Sequence, residues 1–402
     1  LAGSEDRRDV LLLITSRVSR SFAAGFLAVI IPLYYAHVLR LNSLLIAGLF
    51  AAGAFGTPAL TLLFGKYADR YGRKRFLILT LTLLPIAIII LLLTSNYILL
   101  LISSALGGFG IAGGLVGGGV GASVAPMQTA LLAEKTNSVN RTKIFSLFTI
   151  ASSVTGSAGA LASNVSDYRG LFLIALLLTL ISFLSVLPLR ERFTPPGKRE
   201  FRKVDEESRH NIRKFIITGS LNGAGQGLII PFLPLILNEI FHMSKGEIGD
   251  LFSAGGFITA AAMYATPYLT DRIGFVKYIM STRAVATAFL LYFPFSGSAL
   301  AASASYIIFT VLRAIALPSQ QALMMNVVSE ETRSYASGAN QSARLFPSAA
   351  ATFSSGAIQT FFNDTIPFEL AFVINMVNIA LYYKFFWHMP EANARAAAHT
   401  VE

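Results

Sequence analysis

Inside the long apolar runs of this 402-residue chain stand Arg17, Arg20, Arg283, Arg313 and Arg344. A guanidinium is a permanent, planar cation that grips a carboxylate or phosphate in a bidentate fork. In mid-membrane it costs at least ~2.5–3.5 kcal/mol, so it persists where it faces a wet cavity or a partner. All 21 acidic residues fall in loops or at the ends of apolar runs, so no buried acid neutralises these cations. Arg20, Arg313 and Arg344 are therefore candidates for binding a small anion. Asn340, Gln341 and Ser348 share the helix face of Arg344, and Gln320 and Gln226 are further polar candidates. The competing reading is that such arginines bond helix carbonyls or snorkel. At 1.5 Å per residue Arg17 lies roughly 10 Å and Arg20 roughly 15 Å deep. Arg17, and Arg283 near the start of its run, are expected to snorkel to the surface.

Nothing in the sequence points to catalysis. There are no cysteines, which excludes disulfides and thiolate metal sites, and the five histidines are scattered at run ends or in loops. Gly108–Gly113 satisfies G-x-G-x-x-G, but it lies in an apolar run with no strand before it. No enzyme activity, cofactor or metal is expected.

The elements that position the arginines follow from composition. The chain is 54% hydrophobic and only 13% charged, about half the ~25% charged residues of a soluble domain. Its net charge of +11 would suggest nucleic acid in a soluble protein. Here the cations lie between apolar spans, where membrane orientation explains them and no nucleic acid is implied. Counting stretches of about 20 apolar residues predicts twelve spans: 10–38, 42–64, 76–95, 97–133, 143–164, 170–189, 213–239, 246–269, 276–296, 299–327, 335–361 and 367–388. With residue 1 inside, the inward segments together with the span ends beside them hold 22 Lys and Arg against 3 outside, so both termini are expected in the cytoplasm. The glycine-rich residues 107–121 of the fourth span read either as a close-packing face or as a helix break.

The stretch Gly65–Arg75 (Gly-Lys-Tyr-Ala-Asp-Arg-Tyr-Gly-Arg-Lys-Arg) is a basic turn between two spans, with Gly65 and Gly72 allowing a tight reversal. The halves of the chain repeat. Leu49–Phe55 matches Leu251–Phe257, and Asp69–Gly72 matches Asp271–Gly274, both 202 residues on. Pro126, Gln128 and Arg141 match Pro318, Gln320 and Arg333 at an offset of 192. A charged linker, 191–212, separates an N-terminal bundle (1–190) from a C-terminal one (213–402).

The pattern G-x-x-x-D-R-x-G-R-K resembles the loop joining helices 2 and 3 of the major facilitator superfamily, and with the repeat the likeness covers essentially the whole chain. The resemblance implies an all-α membrane protein of twelve transmembrane helices in two pseudo-symmetric six-helix bundles. It also implies secondary active transport by alternating access, with a substrate site near mid-membrane. By the same resemblance, helices 1, 4, 7 and 10 line the cavity, which places Arg20, Arg313 and Arg344 near substrate. Asp69 is expected to lock the cytoplasmic side by pairing with Arg73 or capping a neighbouring helix, with Arg70 in the same loop and Asp271 and Arg272 as a weaker copy. Glu134 with Arg141, and Glu330 or Glu331 with Arg333, are the matching bridges. The chain departs from the family's drug/proton antiporters in two respects. Ser103 or Ser104 stands where those carry a fourth-helix arginine, and no membrane carboxylate is available for proton coupling. The lead reading is a transporter of a small organic anion, with a proton or counter-ion as a possible coupled species. The alternative is a multidrug exporter; a lipid scramblase or membrane enzyme ranks lower. A monomer in the cytoplasmic (inner) membrane is expected.

Overall fold

The computed structural model describes residues 4–110, 124–136, 138–165, 167–191, 205–329 and 332–389. In chain order the helices are α1 (Ser4–Leu33), α2 (Ser43–Tyr71), α3 (Arg73–Leu93), α4 (Tyr97–Gly107), α5 (Ala125–Glu134), α6 (Ser138–Ala160), α7 (Tyr168–Val186) and α8 (Glu206–Ile229). There follow α9 (Leu233–Glu239), α10 (Lys245–Met263), α11 (Thr266–Ile273), α12 (Phe275–Tyr292), α13 (Ala299–Asn326), α14 (Arg333–Phe361) and α15 (Ile366–Phe386). Each expected span carries a helix or a broken pair: α4 and α5 fall in the fourth, α8 and α9 in the seventh, α10 and α11 in the eighth. Among the described residues, eight helices are long and apolar enough to cross a membrane, nine if α10 and α11, bent by 52°, form one span. This is a multi-pass membrane protein.

Polar caps divide the apolar sequence into helices. Asn42 accepts from the Leu45 amide at 2.9 Å to start α2, Asn96 from Ile98 and Leu99 to start α4, and Asp167 from Arg169 and Gly170 to start α7. Each satisfies amides that the first helical turn leaves open. The Asp205 carboxylate does the same for α8, accepting from the Ser208 amide at 2.8 Å and from the Ser329 hydroxyl at 2.8 Å. Those bonds hold its carboxyl below the ordinary aspartate value. Their stabilisation is complete above that ordinary value and fades as pH falls through the lowered one. The repeat-matched glycines, Gly72 (φ 104°) and Gly274 (φ 84°), end α2 and α11 alike, donating to the carbonyls of Ala68 and Thr270. Pro267, in the first turn of α11, accompanies the bend there.

Two arrangements of helices recur. α1 packs on α6 and α7, while α8 packs on α14 and α15, so the first helix of each half meets the fifth and sixth spans of that half. Leu173, Leu177, Leu180 and Leu184 form an exposed stripe on α7, spaced for one helix face, as a lipid-facing surface should be. In the fourth span the chain leaves the helix after Gly107. Gly108 and Gly110 have φ of 67° and 82°, so the helix break is real. Packing contributes as well: a β-carbon on Gly110 would fall 2.3 Å from the Phe50 β-carbon. Residues 111–123, with most of that span's glycines, lie outside the described residues.

The chain divides into two compact units. One is Leu1–Arg199 with Pro231–Glu239 and Met243–Gly256; the other is Glu200–Ile230, Ile240–His242 and Phe257–Glu402. The division is thus less sequential than the expected 1–190 and 213–402. Glycines explain the exchange: a β-carbon on Gly246 or Gly249 would strike Asn164 or the Ala160 carbonyl, so α10 lies close against the end of the fifth span. Asn164 Nδ2 then donates to Asp250 at 2.8 Å.

Candidate functional site

In the second unit, α8 carries Gly219, Gly223 and Gly227 at four-residue spacing. They face Asn340, Arg344 and Ser348, at the same spacing on α14. A β-carbon at Gly223 would lie 2.0 Å from the Arg344 carbonyl oxygen, and one at Gly227 2.1 Å from that of Ser348. Small residues allow this backbone approach, and it fixes where α14 presents Arg344. Arg313 comes from α13, its guanidinium 5.8 Å from the Phe309 ring one turn earlier. The Nε atoms of Arg313 and Arg344, Oδ1 of Asn340 and the hydroxyl of Tyr382 are buried without a hydrogen-bond partner. Arg344 interacts electrostatically with Arg313 and with Arg283. Cations gathered with open donors in a protein interior form a receptor for negative charge.

Arg283 overturns the expectation of snorkelling. It is buried on α12, donates to Oδ1 of Asn378 at 2.7 Å and to Oε1 of Gln320, and lies 4.5 Å over the Tyr382 ring. Asn378 in turn donates to the Thr218 carbonyl on α8 at 2.7 Å. Gln320, a candidate substrate ligand in the sequence, is thus a buried partner of Arg283. Arg20, in the first unit, is buried and donates to Oε1 of Gln128 at 3.4 Å, and Gln128 donates to Ser16 at 3.1 Å. The two repeat-matched glutamines therefore each receive an arginine, one from α1 and one from α12. Arg17 donates to Ser152 at 2.9 Å and packs on Phe148, so it too is tied to the protein. Gln226 donates to Asn222, and Gln341 is exposed. Replacing Arg283 with Met strands two buried amide oxygens, at about 1–3 kcal/mol each. A clearly lower melting temperature in detergent is expected.

The basic turn is organised around two carboxylates. Glu191, just past the sixth span, accepts from the backbone amides of Arg73 and Lys74 at the start of α3. A carboxylate there meets open amides and the positive end of the helix dipole. The Arg73 guanidinium pairs with Glu134 at the end of α5, 2.5 Å away. Arg73 thus pairs with Glu134 and the start of α3 is capped by Glu191, two contacts the sequence did not single out. Gly65 lies inside α2, which runs on to Tyr71, so Gly72 alone of the two expected glycines makes the reversal. The side chains of Asp69, Arg70, Arg141 and Arg333, with Glu330 and Glu331, lie outside the described residues. Asp271 and Arg272 are exposed, and Arg272 reaches Tyr268 at 3.5 Å. Glu191→Gln removes the charge from this cap and is expected to cost on the order of 1 kcal/mol, read as a lower melting temperature. A further buried ion pair joins Lys135, next after α5, to Asp9 on α1 at 2.6 Å.

The sequence profile described as Major Facilitator Superfamily matches residues 13–352 and 215–400. The chain belongs to that superfamily. It is 29% identical to the multidrug resistance protein MdtG of Escherichia fergusonii over 252 residues, 58% of this chain and 57% of that relative. It thus spans little more than half of that relative's length. A variant of the nucleoside transporter NupG superposes with a TM-score of 0.76 at 13% identity, covering 94% of this chain and all of that one. The human organic anion transporter MFSD10 superposes at 0.63 and 14% identity, with the same coverage. At such identities these structures speak for the fold alone. Within the superfamily fold, the sequence missed Arg283's network and Glu191. Gln and Asn inside apolar spans, and a carboxylate just past the sixth span, were the available signals.

Proposed function

We propose that this protein is a secondary transporter that moves a small organic anion across the cytoplasmic membrane by alternating access. One observation carries the reading: Arg313 and Arg344 present buried donors without a partner in spans that contain no carboxylate. Asn340 and the Tyr382 hydroxyl, both with open buried atoms, add hydrogen-bonding capacity beside them. Arg20 and Arg283 already have amide partners and are assigned to positioning. The Lys and Arg distribution supports cytoplasmic termini, and the Glu191–Arg73–Glu134 assembly is the proposed cytoplasmic lock.

Drug export is the second reading, favoured by the MdtG relatives. Against it, guanidiniums without a carboxylate repel the lipophilic cations that many exporters carry. Uptake into liposomes holding the purified protein separates the two. The anion reading expects saturable uptake of succinate, benzoate or glycerol phosphate, abolished in Arg344→Ala. Transport of ethidium and of none of these anions would establish the exporter instead.

A further inference from the structure

We infer that this protein is an anion exchanger, which returns across the membrane readily only when a second anion occupies the site. The inference rests on the anion reading above and adds the mode of coupling. Arg283, Arg313 and Arg344 all lie on spans of the second unit, and Arg344 interacts electrostatically with both others. Their protein partners are neutral: two amide oxygens for Arg283 and the Phe309 ring for Arg313. Amides and rings orient a guanidinium without cancelling its charge. The described acids of the second unit, Asp205, Glu206, Glu207, Asp271, Asp364 and Glu369, sit at helix ends or in loops, and the ion pairs found among the described residues join none of them to these cations. A guanidinium cannot shed its proton to escape the difficulty.

The consequence is kinetic. Passing between inward and outward states closes water out of the site, and an unloaded site would then hold three uncompensated cations in a low-dielectric interior. A bound anion cancels part of that charge, and a dianion cancels the two guanidiniums with open donors. The loaded form therefore changes state faster than the empty one. One anion enters as another leaves, and equal charges make the cycle electroneutral.

The test uses the purified full chain in liposomes and radiolabelled succinate, benzoate and glycerol phosphate as probes. The lumen holds either the same unlabelled anion or a zwitterionic buffer, with potassium and valinomycin clamping the potential in both. Preloading is expected to raise the initial uptake rate at least about tenfold, and Arg313→Gln to bring that ratio towards one in whatever uptake it retains. Measurable uptake at equal rates in the two arms overturns exchange and leaves the anion reading standing. Uptake of none of the probes in either arm overturns the anion reading and exchange with it.

Discussion

Gly223→Ala is expected to lower the yield and melting temperature of the folded protein sharply, although it adds one methyl group. The new β-carbon would lie 2.0 Å from the Arg344 carbonyl oxygen, 2.7 Å from its carbon and 2.8 Å from the α-carbon. All three are backbone atoms, so no side-chain rotation relieves the clash and α8 must part from α14. Overpacking typically costs about 1–3 kcal/mol, and a contact against rigid backbone belongs at the top of that range. The displacement would also carry Arg344 out of place, so the protein that does fold should lose anion binding. Gly338→Ala is the control. Gly338 lies in α14 with open space, nothing within 4 Å, where the alanine methyl would stand, and it has no positive φ. Alanine there should be neutral or stabilising by up to about 1 kcal/mol, the helix-propensity difference. Melting temperature and size-exclusion profile in detergent check both variants.

The second large effect separates binding from stability. Arg344→Ala or Arg313→Ala should weaken anion binding at least about thirtyfold, given the ~2–5 kcal/mol lost when one partner of a buried charge pair is truncated. Without ligand, the same variants should melt at or above the wild-type temperature. Their guanidiniums carry buried open donors and no acidic partner, so removing them relieves a cost. Arg283→Met should behave in the opposite way, because it breaks satisfied bonds to Gln320 and Asn378. Arg344→Lys should retain part of the affinity, since a lysine keeps the charge but loses the bidentate fork. Isothermal titration with succinate, beside melting curves without it, reads both quantities.

Much of this architecture was legible in the sequence because hydrocarbon imposes strict rules. Spans must be apolar and about 20 residues long, and reversals such as Gly72 and Gly274 need positive φ. The repeat placed those two glycines correctly, and the capping residues stand where the apolar runs end. What escaped was tertiary. The depth of Arg283 in its span suggested a route to the surface, whereas Gln320 and Asn378, distant in sequence, hold it inside. Gly219, Gly223 and Gly227 are visible as a four-residue spacing, but their partner helix is not. Glu191 reads as part of a charged linker until the fold brings it to the start of α3. The fourth-span glycines were open to two readings because packing and helix breaking use the same residue for different reasons.

The most direct measurement of the central claim is thermal stabilisation of the detergent-purified protein by succinate, benzoate and glycerol phosphate beside ethidium and neutral sugars. Wild type is run with Arg313→Ala, Arg344→Ala and Arg20→Ala. The account predicts that at least one anion raises the wild-type melting temperature, that the effect disappears in the Arg313 and Arg344 variants, and that Arg20→Ala keeps at least part of it. Stabilisation by ethidium alone, unchanged by loss of Arg313 or Arg344, would contradict the anion site and leave drug export as the better account.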